Sequence, residues 1–343
     1  MPRVAGTDPG TSSLDIVILQ DGAVAEQCRF TPEQLQADVQ QVVRWLANRG
    51  PFDCIAGPSG YGLPLVPAQD VTERDLALMR LVRSDERGQR QGVLGFSALT
   101  RALRDSGLPV MFLPGVIHLP TVPRYRKFNR IDLGTADKLC VAALALERYT
   151  SRPRYELIDG DLCVVELGLA FTACVALRGG CIVDGVGGTG GPVGWRSGGA
   201  WDGELAYLLS PLSKNDLFHG GVSSMAVHAE SRMWLRESLL KTVAGLKAVV
   251  DFQDIVLSGR LLEIEPQLTQ EIVIDLQHFA PVAPLASLSG AWIKHAAQGA
   301  AIIADGLAGG RHAPLVEHLQ LRGAAGTVLD WIQHPRAPDA LFD

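Results

Sequence analysis

The stretch from Val4 to Leu19, VAGTDPGTSSLDIVIL, constrains this chain more than any other. An apolar start runs into Gly6-Thr7-Asp8-Pro9-Gly10-Thr11-Ser12-Ser13, and apolar residues resume at Leu14, Ile16, Val17, Ile18 and Leu19. The pattern predicts two strands joined by a turn of small residues. Such a turn has the chemistry of a phosphate grip. Gly10 lets the backbone approach an anion, Thr11, Ser12 and Ser13 offer N–H and hydroxyl donors, and Asp8 stands at a strand end where it would hold a hydrated divalent cation. An ordinary hairpin with a solvated Asp8 has the same local sequence, so the motif alone leaves both readings open.

The 343 residues suffice for two core-bearing domains, and 47% apolar with 20% charged residues is a globular composition. A formal net charge of −6, with no basic tail or stripe, argues against nonspecific nucleic-acid binding, which draws its affinity from cations at phosphates. Cysteines 28, 54, 140, 163, 174 and 181 show no C-x-x-C spacing and lie mostly in apolar runs, as reduced buried thiols do. A cytoplasmic protein without structural zinc is expected. The phosphate turn begins so early that a signal peptide has no room before it. The most apolar late segment, Ala286 to Ala308, carries Lys294, His295 and Asp305, and reads as a packed helix rather than a membrane span.

Along the chain, Thr31 as N-cap, Pro32 and Glu33 open a helix with Leu35, Val39, Val42, Val43 and Leu46 on its apolar side. A buried strand, Cys54 to Ala56, ends in Gly57-Pro58-Ser59-Gly60-Tyr61-Gly62, a candidate substrate loop or a plain turn. Arg80, Arg83, Arg87 and Arg90 read as a solvated face within the charged residues 70–92. A helix over 97–106 and a strand over 110–113 follow. Prolines 114, 120 and 123 then keep the chain extended, and Arg124, Arg126, Lys127 and Arg130 gather cations that either hold an anion or decorate the surface. Asp137 and Lys138 fall in the first turn of a helix that ends near Tyr149, and Asp137 there is either a cap or a site residue. The polar break 150–154 is the expected domain boundary, dividing the chain into 1–150 and 151–343.

Beyond it the opening pattern returns. Strands over 162–167, 171–177 and 181–183 form a second hairpin set with Glu166 near the turn. Glycines from 185 to 203 suit a loop that closes over a ligand, with Asp202, Glu204 and His219 as weaker candidates. A helix over 226–249, interrupted at Gly245, precedes a strand over 254–257 that enters Ser258-Gly259-Arg260. A last helix over 315–332 packs back on the body, and the chain beyond Pro335 is expected to be loose.

The opening turn, with PSGYGLPL (58–65), PGVIHLPTVPRYRKFNRIDLGTADKL (114–139) and ELGLAFTACVALRGGCIVDGVGGTGG (166–191), resembles the acetate and sugar kinase, heat-shock chaperone and actin superfamily. Within that superfamily these strings are similar to a family of predicted butyrate kinases. The resemblance covers most of the chain. It implies an α/β fold of two ribonuclease H-like, actin-like ATPase domains facing each other across a nucleotide cleft. It further implies ATP with Mg²⁺ as cofactors and transfer of the γ-phosphoryl group to a small-molecule acceptor, a short carboxylate or an alcohol. By the same resemblance Gly6, Thr7, Asp8, Gly10, Thr11, Ser12 and Ser13 would bind the nucleotide in the first turn. Gly187, Gly188 and Thr189 would do so in the second half, and Ser258, Gly259 and Arg260 in an adenosine motif. Asp8 and Glu166 would hold the metal, and Asp137, Lys138 and Arg126 would be catalytic.

Three departures from the superfamily pattern stand out, the first being Glu166 where Asp is usual. Leu169-Ala170 replace glycine beside Glu166, and Arg260 replaces the second glycine of the adenosine motif. They keep open a protein that binds nucleotide without turnover. Ranked ahead of that reading, the first alternative to a kinase is an ATP-hydrolysing switch or activator acting on a partner protein; an iron–sulfur form of it is disfavoured by the positions of the cysteines. Neither nucleic acid nor a membrane is an expected partner, and a homodimer is an open alternative.

Overall fold

The computed structural model describes residues 2–10, 12–86 and 95–335, so Thr11, Arg87, Arg90 and the tail beyond Pro335 lie outside the described residues. The opening stretch forms the expected hairpin. β1 (Arg3–Pro9) pairs antiparallel with β2 (Leu14–Gln20), setting Asp8 opposite Asp15, and β3 (Ala23–Phe30) completes a meander. After α1 (Pro32–Ala37) and α2 (Gln40–Ala47), β4 (Cys54–Ala56) runs parallel to β1. There follow β5 (Val66–Pro67), α3 (Glu73–Arg80), α4 (Phe96–Arg104), β6 (Val110–Phe112), α5 (Arg124–Lys127) and α6 (Ala136–Thr150). The first sheet has the order β3-β2-β1-β4-β6-β5.

The second sheet repeats this plan. β7 (Leu162–Leu167), β8 (Thr172–Arg178) and β9 (Cys181–Val186) form another antiparallel meander, followed by α7 (Gly203–Leu209) and α8 (His228–Val249). β10 (Asp254–Ser258) joins parallel to β7. After α9 (Leu261–Ile264) and α10 (Pro266–Leu276), β11 (Val282–Pro284) joins parallel to β10. Its order, β11-β10-β7-β8-β9, matches that of the first sheet once the edge strand β5 is set aside. α11 (His295–Leu307) and α12 (Ala313–His318) then return to the first sheet, sharing its core.

Several expected elements differ, each for a local reason. The single helix from Pro32 is two helices, because Asp38 is extended and its carboxylate accepts the Gln40 N–H, starting a new helix. The helix expected over 286–308 begins only at His295. Before it, the Gln298 side chain accepts the Leu288 N–H and donates to the Ile293 carbonyl, holding the preceding residues as a loop. α8 passes through Gly245 without a break. The final helix stops at His318, and Gln320 adopts a left-handed conformation with φ of 54°. Among the described residues no helix is long and apolar enough to cross a membrane.

Candidate active site

A cavity of about 850 Å³ opens at the carboxyl ends of the parallel strands of both sheets. This is where crossover topology leaves strand ends uncovered, and the volume falls within the roughly 300–1,000 Å³ of small-molecule pockets. β1 brings Thr7 and Asp8 to it, and the loop after β4 brings Gly57 to Tyr61. β7 brings Glu166, and the turn after β10 brings Ser258, Gly259 and Arg260. α6 points its first turn inward, delivering Asp137 and Lys138.

The charges at its centre are interlocked. The Lys138 ammonium donates to Asp137 Oδ2 at 2.6 Å and lies 3.4 Å from Glu166 Oε2, which is buried without a hydrogen-bond partner. Thr135 donates its hydroxyl to the other Asp137 oxygen. Burial works to raise the Asp137 carboxyl, but Lys138 and these hydrogen bonds outweigh it and hold the group below the usual carboxylate range. Burial, with Asp137 and Asp8 nearby, pushes Glu166 up to about 7 in spite of Lys138. Against its own burial, Lys138 is held firmly charged by Asp137 and Glu166. Burial also raises Asp8, against the pull of Lys294, whose Nζ stands 3.3 Å from Asp8 Oδ2. Asp132, another cavity residue, is raised by burial while its Oδ1 accepts the Gly134 N–H.

Most of the residues singled out in the sequence meet here. Thr7, Asp8, Gly10 and Ser12 face the cavity with Asp137, Lys138 and Glu166, and Gly188, Thr189, Ser258, Gly259 and Arg260 join them. Thr11 lies outside the described residues. Four others stand elsewhere. Gly6 is a packing residue, since a methyl there would land on the backbone of Ala297 and Ala301 in α11. Ser13 is buried and donates to Asp15 at 2.7 Å. Gly187 packs on the Asp132 carboxylate, where no side chain fits. Arg126 lies outside the cavity lining, donating to the carbonyls of Val183 and Val249 with Asp184 3.4 Å away.

The basic cluster around Arg126 is likewise spent on packing. Arg124 and Lys127 lie over the Trp331 ring, and Lys127 donates to the Leu119 carbonyl. Asp202 is the N-cap of α7, accepting the Glu204 N–H. Part of the glycine-rich loop is tightly packed: a methyl at Gly194 or Gly199 would meet neighbouring backbone, whereas at Gly203 nothing lies within 4 Å. His219 is not among the lining residues.

Sequence reasoning missed Lys294, His295, Asp132 and Lys214, all of which line the cavity. Lys294 follows a loop at the start of α11, nearly three hundred residues from Asp8, so no local spacing announces it. Among the described residues no three His, Cys, Asp or Glu side chains gather as a ready-made metal site.

The fold is shared with solved acetate and propionate kinases. An acetate kinase from Entamoeba histolytica aligns over 80% of this chain and 86% of its own, at 11% identity and a TM-score of 0.56. A propionate kinase from Francisella tularensis subsp. tularensis SCHU S4 aligns over 88% of this chain and 98% of its own, at 12% identity and a TM-score of 0.58. Within that fold, the chain belongs to the family described as "Protein of unknown function (DUF1464)", whose model matches residues 6–334. No curated protein matches the sequence.

Proposed function

We propose that this chain is an ATP-dependent phosphotransferase whose acceptor is a small molecule bearing a hydroxyl group. The observation that carries the reading is the Asp137–Lys138–Glu166 cluster, which shares one cavity with Asp8 and the turn Ser258–Arg260. In this reading residues 1–150 and 151–343 are two ribonuclease H-like domains facing each other across a nucleotide cleft, with α11 and α12 crossing back. The acetate and propionate kinases that share the fold support a kinase by analogy of architecture alone.

The carboxylates fit Mg²⁺, a hard cation that prefers oxygen donors and keeps much of its water. Asp8 and Glu166 would hold it alongside their ion-pair partners Lys294 and Lys138, and bound with the nucleotide it would offset phosphate charge. Phosphoryl transfer asks the protein mainly for position and electrostatics. Thr135 and Lys138 fix the Asp137 carboxylate in one orientation and keep it ionised at neutral pH, ready to accept the acceptor's hydroxyl proton. Lys138, beside it, would offer a positive charge to the oxygens of the phosphoryl group in transit. A carboxylate acceptor would instead need cations. Arg124, Arg126, Lys127 and Arg130 are not among the cavity-lining residues, whereas Lys138, Lys214, Arg260 and Lys294 are, so the preference for a hydroxyl rests on Asp137 as an ionised base and not on a lack of cations.

The test begins with thermal stabilisation by Mg·ATP and by a non-hydrolysable analogue. Ligand at a hundred times its dissociation constant should stabilise the fold by about 2.7 kcal/mol, and Asp8→Ala should weaken the shift. Asp137→Asn should keep the shift and lower transfer to the alcohol found by acceptor screening by about 10²–10⁴-fold. ATP consumption that depends on an added protein would favour the switch. No shift with either nucleotide would sink the proposal.

A further inference from the structure

Building on the nucleotide reading, we infer that Lys294 is the phosphate-binding cation of the first turn, and that the start of α11 links this turn to the one after β10. The turn does not work as its sequence suggests. The Gly10 N–H is consumed within it, donating to the Ser13 carbonyl at 2.8 Å, so it is not free to hold an anion. The same Ser13 oxygen accepts the Lys294 ammonium, also at 2.8 Å. Lys294 thus caps the turn from the cavity side, with Nζ 3.3 Å from Asp8 Oδ2 and 3.5 Å from the Asp8 carbonyl.

Glycine at position 10 makes room for this arrangement. A methyl there would come within 2.5 Å of Lys294 Nζ. The lysine is held in place from behind, because its backbone N–H donates to Asp15 Oδ2 at 3.0 Å. Arg29 clamps the same carboxylate through both its oxygens, at 2.9 and 2.6 Å. Asp15 is fully buried and already satisfied, whereas the Lys294 side chain keeps 23% of its surface open to the cavity. Of the ammonium's three donors one is held by the Ser13 carbonyl at 2.8 Å, and the two longer contacts to Asp8, at 3.3 and 3.5 Å, are those a phosphate oxygen would replace.

The next residue reaches the other sheet. His295 Nδ1 and Ser258 Oγ are 2.9 Å apart, at the end of β10, whose turn continues into Gly259 and Arg260. Two consecutive side chains therefore span the cavity, one on the phosphate turn and one on the turn expected to face adenosine. Phosphate contact at Lys294 is thereby tied to the position of the opposite turn through a single peptide unit at the start of α11.

Titration calorimetry of the full chain with ATP and with adenosine tests the assignment. Lys294→Gln should weaken ATP at least tenfold and leave adenosine within twofold, and Lys294→Arg should recover most of the ATP affinity. Because Lys294→Gln leaves the buried Asp8 without its cation, the double variant Asp8→Asn/Lys294→Gln is titrated beside Asp8→Asn alone, which guards against a folding defect. The double variant should bind ATP more weakly than Asp8→Asn, with adenosine affinity within twofold. Equal losses for ATP and adenosine, or unchanged ATP affinity, would overturn this inference while leaving the kinase reading intact. Wild-type protein that binds no ATP would overturn both.

Discussion

Glu166 shows at the scale of one residue what the cavity does to its own carboxylates. It is 16% exposed, and burial with Asp137 and Asp8 nearby moves it from the ordinary value of 4.5 to about 7. Below pH 4.5 the group is protonated whether the chain is folded or not. Between 4.5 and about 7 the unfolded chain releases the proton and the folded chain keeps it, so stability falls as pH rises through this window and is level above it. The loss amounts to about 3 kcal/mol. Glu166→Gln cannot titrate there, so urea-denaturation free energies of wild type minus variant should fall by that amount from pH 4.5 to 7.5. Parallel curves would show that Glu166 ionises normally. Asp8 was legible as a candidate because it stands at a strand end before a turn of small residues, whereas Asp137 and Glu166, flanked by Ala136 and Lys138 and by Val165 and Leu167, were singled out through the family resemblance. Arg126 was misread because proximity in sequence says nothing about which of four cations is free, and Val183, Val249 and Asp184 engage this one.

α11 is the element whose meaning the sequence half conceals. Its density of small residues announces close packing, but its partners lie far away along the chain. β1 presents Gly6 to its one side, and α6 presents the Cys140 backbone to Gly299 on another. A methyl at Gly299 would overlap the Cys140 carbonyl, which belongs to a helix and cannot move aside cheaply. Gly299→Ala should therefore destabilise the chain by about 1–3 kcal/mol or more, although alanine is the better helix former. Gly245 in α8 is the control. Nothing lies within 4 Å of a methyl there and its backbone is helical, so Gly245→Ala should stabilise by about 0.5–1 kcal/mol. Opposite signs in the two urea midpoints at unchanged m-value would establish α11 as a contact-limited element. Equal signs would mean that α11 shifts to accommodate the methyl.

The repeated strand order of the two sheets was visible in the sequence as a second hairpin, yet the way the halves join was not. α6 is apolar around most of its circumference, with Leu139, Val141, Ala142, Leu144 and Ala145 all buried, and such a helix must be covered on more than one side. On one side it meets α11; on the other, the second sheet covers it. Leu162, Val164, Val175 and Leu177 point from that sheet into the same core as Val4, Ala5 and Leu14 of the first. Their neighbours Cys163, Val165, Cys174 and Ala176 point the other way, into a second core with α8 and α10, as strand alternation requires. The halves are thus joined by continuous apolar packing, and separating them exposes α6. Hydrophobic area shared across a boundary couples the unfolding of both sides. Scanning calorimetry without ligand should show one transition with a calorimetric-to-van't Hoff enthalpy ratio of about 1. Two resolved transitions would mean that the shared core around α6 opens before either half unfolds, and that the halves are held together by far less than their packing suggests.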